Sequence, residues 1–196
     1  MRIRFAAETD ASQILEIYAP VVTLTSISFE DAPPSPAEMA GRIRRTTERH
    51  PWLVCDGAQG VSGYAYAVAF RERTAYQWSV EVSAYVRTEA RERGVARGLY
   101  TSLFEILRLQ GYVNALAAIA LPNAASVALH ESLGFTPIGV YADVGYKLGA
   151  WHDVGWWQLR ILDPENPPSP PRPLVELRRS DAIVRALASG EVEFRP

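Results

Sequence analysis

The chain has 196 residues, 48% of them apolar and 21% charged, which is enough for one globular domain with a real core. Its 20 basic and 22 acidic side chains nearly cancel to a formal net charge of −2, with no basic stripe or acidic block, so nucleic acid is not an expected partner. The single cysteine, Cys55, excludes an intrachain disulfide and fits a reducing cytoplasm; the residues after Phe5 turn polar, so a signal peptide is not expected, and without a run of about 18 apolar residues neither is a membrane span.

Residues 3–5 alternate like a short strand. Thr9 or Asp10 can cap a helix with Ile14, Leu15, Ile17 and Tyr18 on its buried side. Residues 23–35 read as a loop, and Ser35 before Pro36 starts a charged helix over 36–49. Strands follow at 51–55, 61–70 and 76–86, the first two joined by a turn at 56–60. A helix runs from just after Gly94 to about Gln110, with Gly111 as its C-terminal cap. The apolar run 113–120 reads as a central strand buried on both faces. A helix at 123–133 closed by Gly134 and strands near 135–142 and 153–161 complete the pattern. The order βααβββαβαββ, with a strand, a helix and a strand across 80–119, implies a parallel crossover in an otherwise antiparallel sheet.

Six of the ten residues from Pro164 to Pro173 are proline, which reads as a stiff extended linker outside the core. Beyond it, residues 180–189 can form one short helix. Two readings stand for that tail: a frayed end, or an arm lying across its own domain or a neighbouring subunit. The expected division is a domain over 1–162 and a proline-rich linker with a tail over 163–196.

The most informative segment spans Val86 to Leu99. A strand ends, a polar loop carries Arg91, Arg93 and Arg97, and a helix opens at Gly94, Val95, Ala96 and Gly98. Small residues admit a ligand close to the backbone, and free N–H groups at a helix start attract anions such as a pyrophosphate. The alternative is a surface turn before an ordinary amphipathic helix. The spacing of these glycines is not that of the dinucleotide fingerprint.

Arg91-x-x-Gly94-x-Ala96 resembles the acetyl-CoA motif of the GNAT N-acetyltransferases, and the segment Leu121 to Phe135, with Asn123, Leu133 and Gly134, resembles the downstream signature of that family. Two further segments, Arg71 to Glu81 and Gly145 to Gly155, resemble its phosphinothricin and methionine-sulfone acetyltransferase subgroup. The resemblance covers about residues 1–162. It implies an α/β (α+β) GNAT fold: a central mixed, mostly antiparallel sheet flanked by helices, with a splayed strand pair holding acetyl-CoA. It also implies transfer of an acetyl group to the amine of a small acidic amino-acid-like compound, such as phosphinothricin, methionine sulfone, methionine sulfoximine or an arsenic analogue, by a homodimer that uses no metal. Alternatives are a GNAT enzyme for another amine (a polyamine, an antibiotic or a protein N-terminus) and an acetyl-CoA-binding sensor without catalysis.

Acetylation requires that an amine lose a proton, that a thioester oxygen be polarised and that a thiolate leave. The resemblance implies that Glu81 is the base; desolvation in its apolar strand would raise its pKa from about 4.3 toward a useful range. The alternative is a strand glutamate paired with an arginine. Backbone N–H groups near Val86 are the expected oxyanion donors. His130 replaces the tyrosine of many relatives as the candidate acid toward the sulfur, against the alternative of a histidine at the core edge. Val86, Arg91, Arg93, Gly94, Val95, Ala96, Arg97, Gly98, Asn123 and Ser126 are the expected cofactor contacts. Arg71 and Arg73 could grip a carboxylate or phosphinate as a fork, or simply sit at a solvated hairpin end. Phe29, Glu30, Tyr76 and Tyr85 are further candidates for the acceptor pocket, although aromatics in such positions are as often core, and two readings stand for Lys147: the far wall of that pocket or a dimer contact. Cys55 reads as buried and inert, and the three histidines share no metal-ligand spacing.

Overall fold

The computed structural model describes residues 1–58 and 60–195. Its strands are β1 (Arg2–Phe5), β2 (Trp52–Gly57), β3 (Gly60–Ala69), β4 (Ser79–Val86), β5 (Asn114–Leu121), β6 (Thr136–Lys147) and β7 (Ala150–Arg160). Its helices are α1 (Ala11–Leu24), α2 (Pro36–Arg49), α3 (Val95–Gln110), α4 (Ala124–Ser132), α5 (Leu174–Leu177) and α6 (Asp181–Ser189). The seven strands form one sheet in the order β1-β2-β3-β4-β5-β7-β6. Only β4 and β5 run parallel, and α3 connects them as the crossover. This is the mixed, mostly antiparallel sheet flanked by helices that the sequence pattern implies.

Local chemistry sets several boundaries. The Ser35 hydroxyl accepts from the Glu38 N–H while the Glu38 carboxylate accepts from the Ser35 N–H, a reciprocal cap that starts α2 at Pro36. Gly111, at φ +91°, ends α3 in the left-handed conformation, where a side chain would be strained. The Asn123 side chain caps α4 by accepting from the Ser126 N–H.

The sheet separates two cores. One face packs Ile14, Ile17, Met39 and Ile43 of α1 and α2 against Val54 and Tyr64. The other packs α3 through Leu99, Leu103, Ile106 and Leu107 against Val80, Ala115, Ala117 and Ile119. The buried face of α3 is a large part of that second core, at roughly 1.5–3 kcal/mol per large apolar side chain removed from water.

Three expectations need correction. Tyr76 lies in a 3-10 turn, and the strand begins at Ser79. Strands β6 and β7 run longer than expected and meet at a tight turn through Leu148 and Gly149, both with positive φ. The linker is exposed from Pro164 to Pro170 but ends earlier than expected: Pro171 is buried, and beyond the prolines Leu174, Leu177, Ile183 and Ala186 join the core that α3 packs. The arm reading of the tail therefore fits, because α6 presents one apolar stripe that α3 covers. The turn expected at 56–60 includes Gln59, which lies outside the described residues.

Candidate active site

Strand β5 pairs with β7 along eight residues but with β4 along three, Ser79 to Asn114, Val80 to Ala115 and Glu81 to Leu116. Past that last rung β4 and β5 diverge, and a gap opens lined by Ser83, Ala84, Tyr85, Ala117, Ala118 and Ala120. The small side chains of β5 leave the gap unfilled. The Ser79 carbonyl accepts from Phe70 and the Arg87 N–H donates to Ser62, so odd-numbered residues of β4 bond toward β3. By strand alternation the N–H groups of Ala84 and Val86 face the gap with no ladder partner. This places Val86 where an oxyanion donor was expected.

The gap opens into a cleft of about 510 Å³ at the start of α3. The first backbone bond of that helix runs from the Gly98 N–H to the Gly94 carbonyl, which leaves the N–H groups of Val95, Ala96 and Arg97 without helical acceptors. Val86, Arg91, Gly94, Val95, Ala96, Arg97, Asn123 and Ser126, eight of the expected cofactor contacts, all line this cleft. Arg97 also donates to the Ser132 hydroxyl at 2.6 Å, which ties the start of α3 to the end of α4.

Two expected contacts lie elsewhere. Arg93 turns its side chain to a separate hollow with Arg87 and Ser62. Gly98 faces away from the cleft; a Cβ there would stand 2.5 Å from the Gly190 carbonyl oxygen and 2.9 Å from the Phe194 ring. Its smallness serves the chain's own C-terminal arm, a partner too distant in sequence to be read from the motif.

Glu81 stands on the last rung, at the fork of the strands. Its carboxylate joins no ion pair among the described residues. Burial raises its pKa above the ordinary value, and the Arg71 guanidinium opposes that shift. Ser83 and Tyr85 follow it on the same face of β4, toward the cleft. Arg71 stacks on the Phe70 ring at 4.4 Å and lines a cavity of about 370 Å³ with Leu116 and Trp156. Leu116 is the rung partner of Glu81, so this cavity adjoins the fork. Arg73 and Tyr76 are exposed on the same connection, and Tyr76 packs edge-on against Phe70.

His130 is 5% exposed and borders both the gap and the cleft. Its Nδ1 lies 2.8 Å from the Ser126 carbonyl oxygen, which can only accept, so Nδ1 carries the proton of the neutral ring. Nε2 then accepts from the Tyr100 hydroxyl at 3.1 Å. Burial lowers the pKa of this ring, and the Ser126 carbonyl opposes that shift. As arranged, the imidazole has no N–H left to donate into the cleft, contrary to the expectation of a direct acid. Tyr100, fully buried in α3, was not singled out from sequence, where it looks like any apolar helix position.

Lys147 does not present its charge to a ligand. Its Nζ donates to the Val22 carbonyl at 2.6 Å and to the Ser28 carbonyl, clasping the loop between α1 and α2. Phe29 of that loop lies over Gly145, where a Cβ would be 2.5 Å from its ring. Ile27 of the same loop reaches both gap and cleft, a contact with no signal in the sequence. Tyr85 packs edge-on against Tyr18 and stacks on Tyr64, forming a wall between cleft and core. Cys55 is fully buried in β2, and burial pushes its thiol up to about 11. Among the described residues no group of three or more His, Cys, Asp or Glu side chains could hold a metal, and no helix is long and apolar enough to cross a membrane.

Residues 3–156 match the family described as acetyltransferase (GNAT) domain. A phosphinothricin N-acetyltransferase of Streptomyces viridochromogenes is 37% identical over 177 residues, covering 90% of this chain and 96% of the relative. An L-methionine sulfoximine/L-methionine sulfone acetyltransferase of Pseudomonas aeruginosa is 38% identical over 167 residues, covering 83% and 95%. The crystal structure of a GNAT superfamily phosphinothricin acetyltransferase from Sinorhizobium meliloti, in complex with acetyl-CoA, superposes with a TM-score of 0.80 at 37% identity, covering 86% of this chain and 91% of that one.

Proposed function

The chain belongs to the GNAT acetyltransferases and is an acetyl-CoA-dependent N-acetyltransferase, and on that premise we propose that its acceptor is the amine of a small, acidic, amino-acid-like compound and that Glu81 is the base. The observation that carries this reading is the position of Glu81: a half-buried carboxylate without an ion-pair partner, on the last rung before the strands part, beside a cavity that holds Arg71.

In this reading Arg71, together with the exposed Arg73, attracts the acid group of the acceptor and leaves its ammonium toward Glu81. Glu81 takes one proton, directly or through water. The freed amine attacks the thioester carbonyl carbon; a C–N bond forms, the C–S bond breaks, and the second proton shed by the nitrogen goes to the departing thiolate, directly or through water. The N–H groups of Ala84 and Val86 stabilise the oxygen as it gains charge. Attack is direct, since the only thiol is buried and held protonated. His130 would protonate the sulfur only as an imidazolium, after Nε2 gains a proton and its bond from Tyr100 opens; as arranged, the pair fixes the cleft wall. The names of two relatives support the acidic acceptor, since they act on phosphinothricin and on methionine sulfoximine and sulfone.

Free-thiol release from acetyl-CoA should be selective for phosphinothricin, methionine sulfone or methionine sulfoximine over a polyamine, and Arg73→Ala should raise KM for the acidic acceptors. Preference for the polyamine would overturn the acceptor class and leave the family standing.

The edge strand β6 carries exposed Ile138, Val140, Tyr141, Val144 and Tyr146, with Trp151 beside it on β7. A long apolar sheet edge of this kind ordinarily has a partner. We assign it to a second copy of the chain; a solution mass of two chains is expected, and a monomer at working concentration would remove the assignment.

A further inference from the structure

The wall of the cleft contains one residue that lies outside the segment matched to the family. We propose that Arg195, carried by the C-terminal arm, is a cofactor-binding residue that presents a cation to the phosphate groups of acetyl-CoA; this rests on the cleft at the start of α3 being the acetyl-CoA site.

The arm is held at every stage of its course. Ile183 and Ala186 of α6 are buried against α3. The Ser102 hydroxyl of α3 donates to the Leu187 carbonyl at 2.8 Å and accepts from the Gly190 N–H at 3.1 Å. Gly190 and Gly98 meet backbone to backbone: a Cβ on Gly190 would fall 1.9 Å from the Gly98 carbonyl oxygen. The Glu191 carboxylate accepts from the Ile3 N–H at 2.8 Å, securing the arm to β1. The last turn then runs onto the arginine-bearing loop. The Glu193 carbonyl oxygen occupies the place that a Cβ on Gly94 would need, at 1.9 Å, and the Arg195 N–H donates to the Arg93 carbonyl at 3.0 Å.

This docking makes Arg195 part of the wall of the cleft that Arg91, Gly94, Ala96 and Arg97 line, and Arg195 is exposed there. Three arginines and one glutamate, Glu92, then line the opening, together with the residues whose helix N–H groups lack acceptors. Arg97 is engaged with Ser132, whereas Arg91 and Arg195 are exposed and join no ion pair among the described residues. A guanidinium there suits a phosphate, which it can meet with two parallel N–H bonds. Coenzyme A offers both a pyrophosphate and a 3′-phosphate, and the chemistry of the side chain serves either. The glycines of the loop thus have two clients: Gly94 opens the backbone to the ligand and to the arm, while Gly98 serves the arm alone.

The test is calorimetry of the full-length chain with acetyl-CoA, for the wild type and for R195A, R195E and R195K, with thermal melts as a control on folding. Because no acceptor is present, the outcome is independent of the acceptor proposed above. Arg195 is exposed, so melting temperatures should not move. R195A should bind up to about fivefold more weakly, R195E more weakly still, and R195K close to wild type, with the gap closing at high salt. In turnover R195A should raise KM for acetyl-CoA with kcat unchanged. Repeating the titration with 3′-dephospho-CoA separates the two phosphates: a loss that disappears assigns the 3′-phosphate, and a loss that persists assigns the pyrophosphate. Wild-type affinity in both R195A and R195E would overturn the proposal while leaving the cleft as the cofactor site. A wild-type chain that does not bind acetyl-CoA would overturn both.

Discussion

Strand β5 has two very different edges. On the β7 side it is paired from Asn114 to Leu121, and Gly155 lets the buried Trp157 ring close over the ladder. On the β4 side pairing stops at Glu81 and Leu116, although both strands continue. The rungs that would have joined the strands are missing there, and Ala84, Ala117, Ala118 and Ala120 along the gap are too small to close it. One edge of a single strand is thus spent on stability and the other on exposing backbone donors and a carboxylate. Unpaired strand N–H groups are costly to bury, and they persist in a native structure where a ligand or water can satisfy them.

Three changes separate the two edges. The largest effect is expected for Glu81→Gln, which keeps the shape of the fork and removes the proposed base: kcat/KM should fall by about 10²- to 10³-fold with acetyl-CoA affinity intact. The pH profile sharpens the point. Burial raises the Glu81 pKa, and the ionised form is the active one, so wild-type activity should rise with pH through a limb lying above the ordinary glutamate range, and the variant should lose that limb. An E81Q enzyme with wild-type turnover would show that the base lies elsewhere.

A smaller effect is expected for Ala118→Phe. Ala118 borders the gap and is exposed, so the larger ring should fill the splay without disturbing the core. Acetyl-CoA should bind about tenfold more weakly, an equivalent of ~1.4 kcal/mol, at an unchanged melting temperature. Unaltered affinity in titration would mean that the opening between the strands does not hold the ligand. Gly155→Val should act on the opposite edge alone. Its Cβ would lie 2.4 Å from the Trp157 ring, an overpacking cost of about 1–3 kcal/mol that a melt should register as several degrees. Cofactor affinity per folded molecule should not change; if it does, the two edges are coupled.

Much of this was legible in the sequence because the signals are local. Ser35 before Pro36 and the left-handed stop at Gly111 mark helix ends from neighbouring residues alone. Strand periodicity placed Glu81 on β4, and small residues beside arginines marked the start of α3 as an anion site. What the sequence could not determine depends on chain segments far apart meeting in space. Lys147 carries a free charge in the sequence, but folding spends it on the carbonyls of Val22 and Ser28. His130 reads as an acid until Ser126 and Tyr100 engage both of its nitrogens. A run of prolines suggests a linker, yet Leu174 and Ile183 beyond it find the uncovered side of α3. Gly98 belongs to the anion motif by spacing and to Gly190 by contact. The sequence alone determined the order of elements, the family motif and the type of chemistry, since each is written in neighbouring residues. Only the tertiary structure decided which side chains remain free to act, because whether a donor or a charge is available depends on partners that close packing brings from elsewhere in the chain.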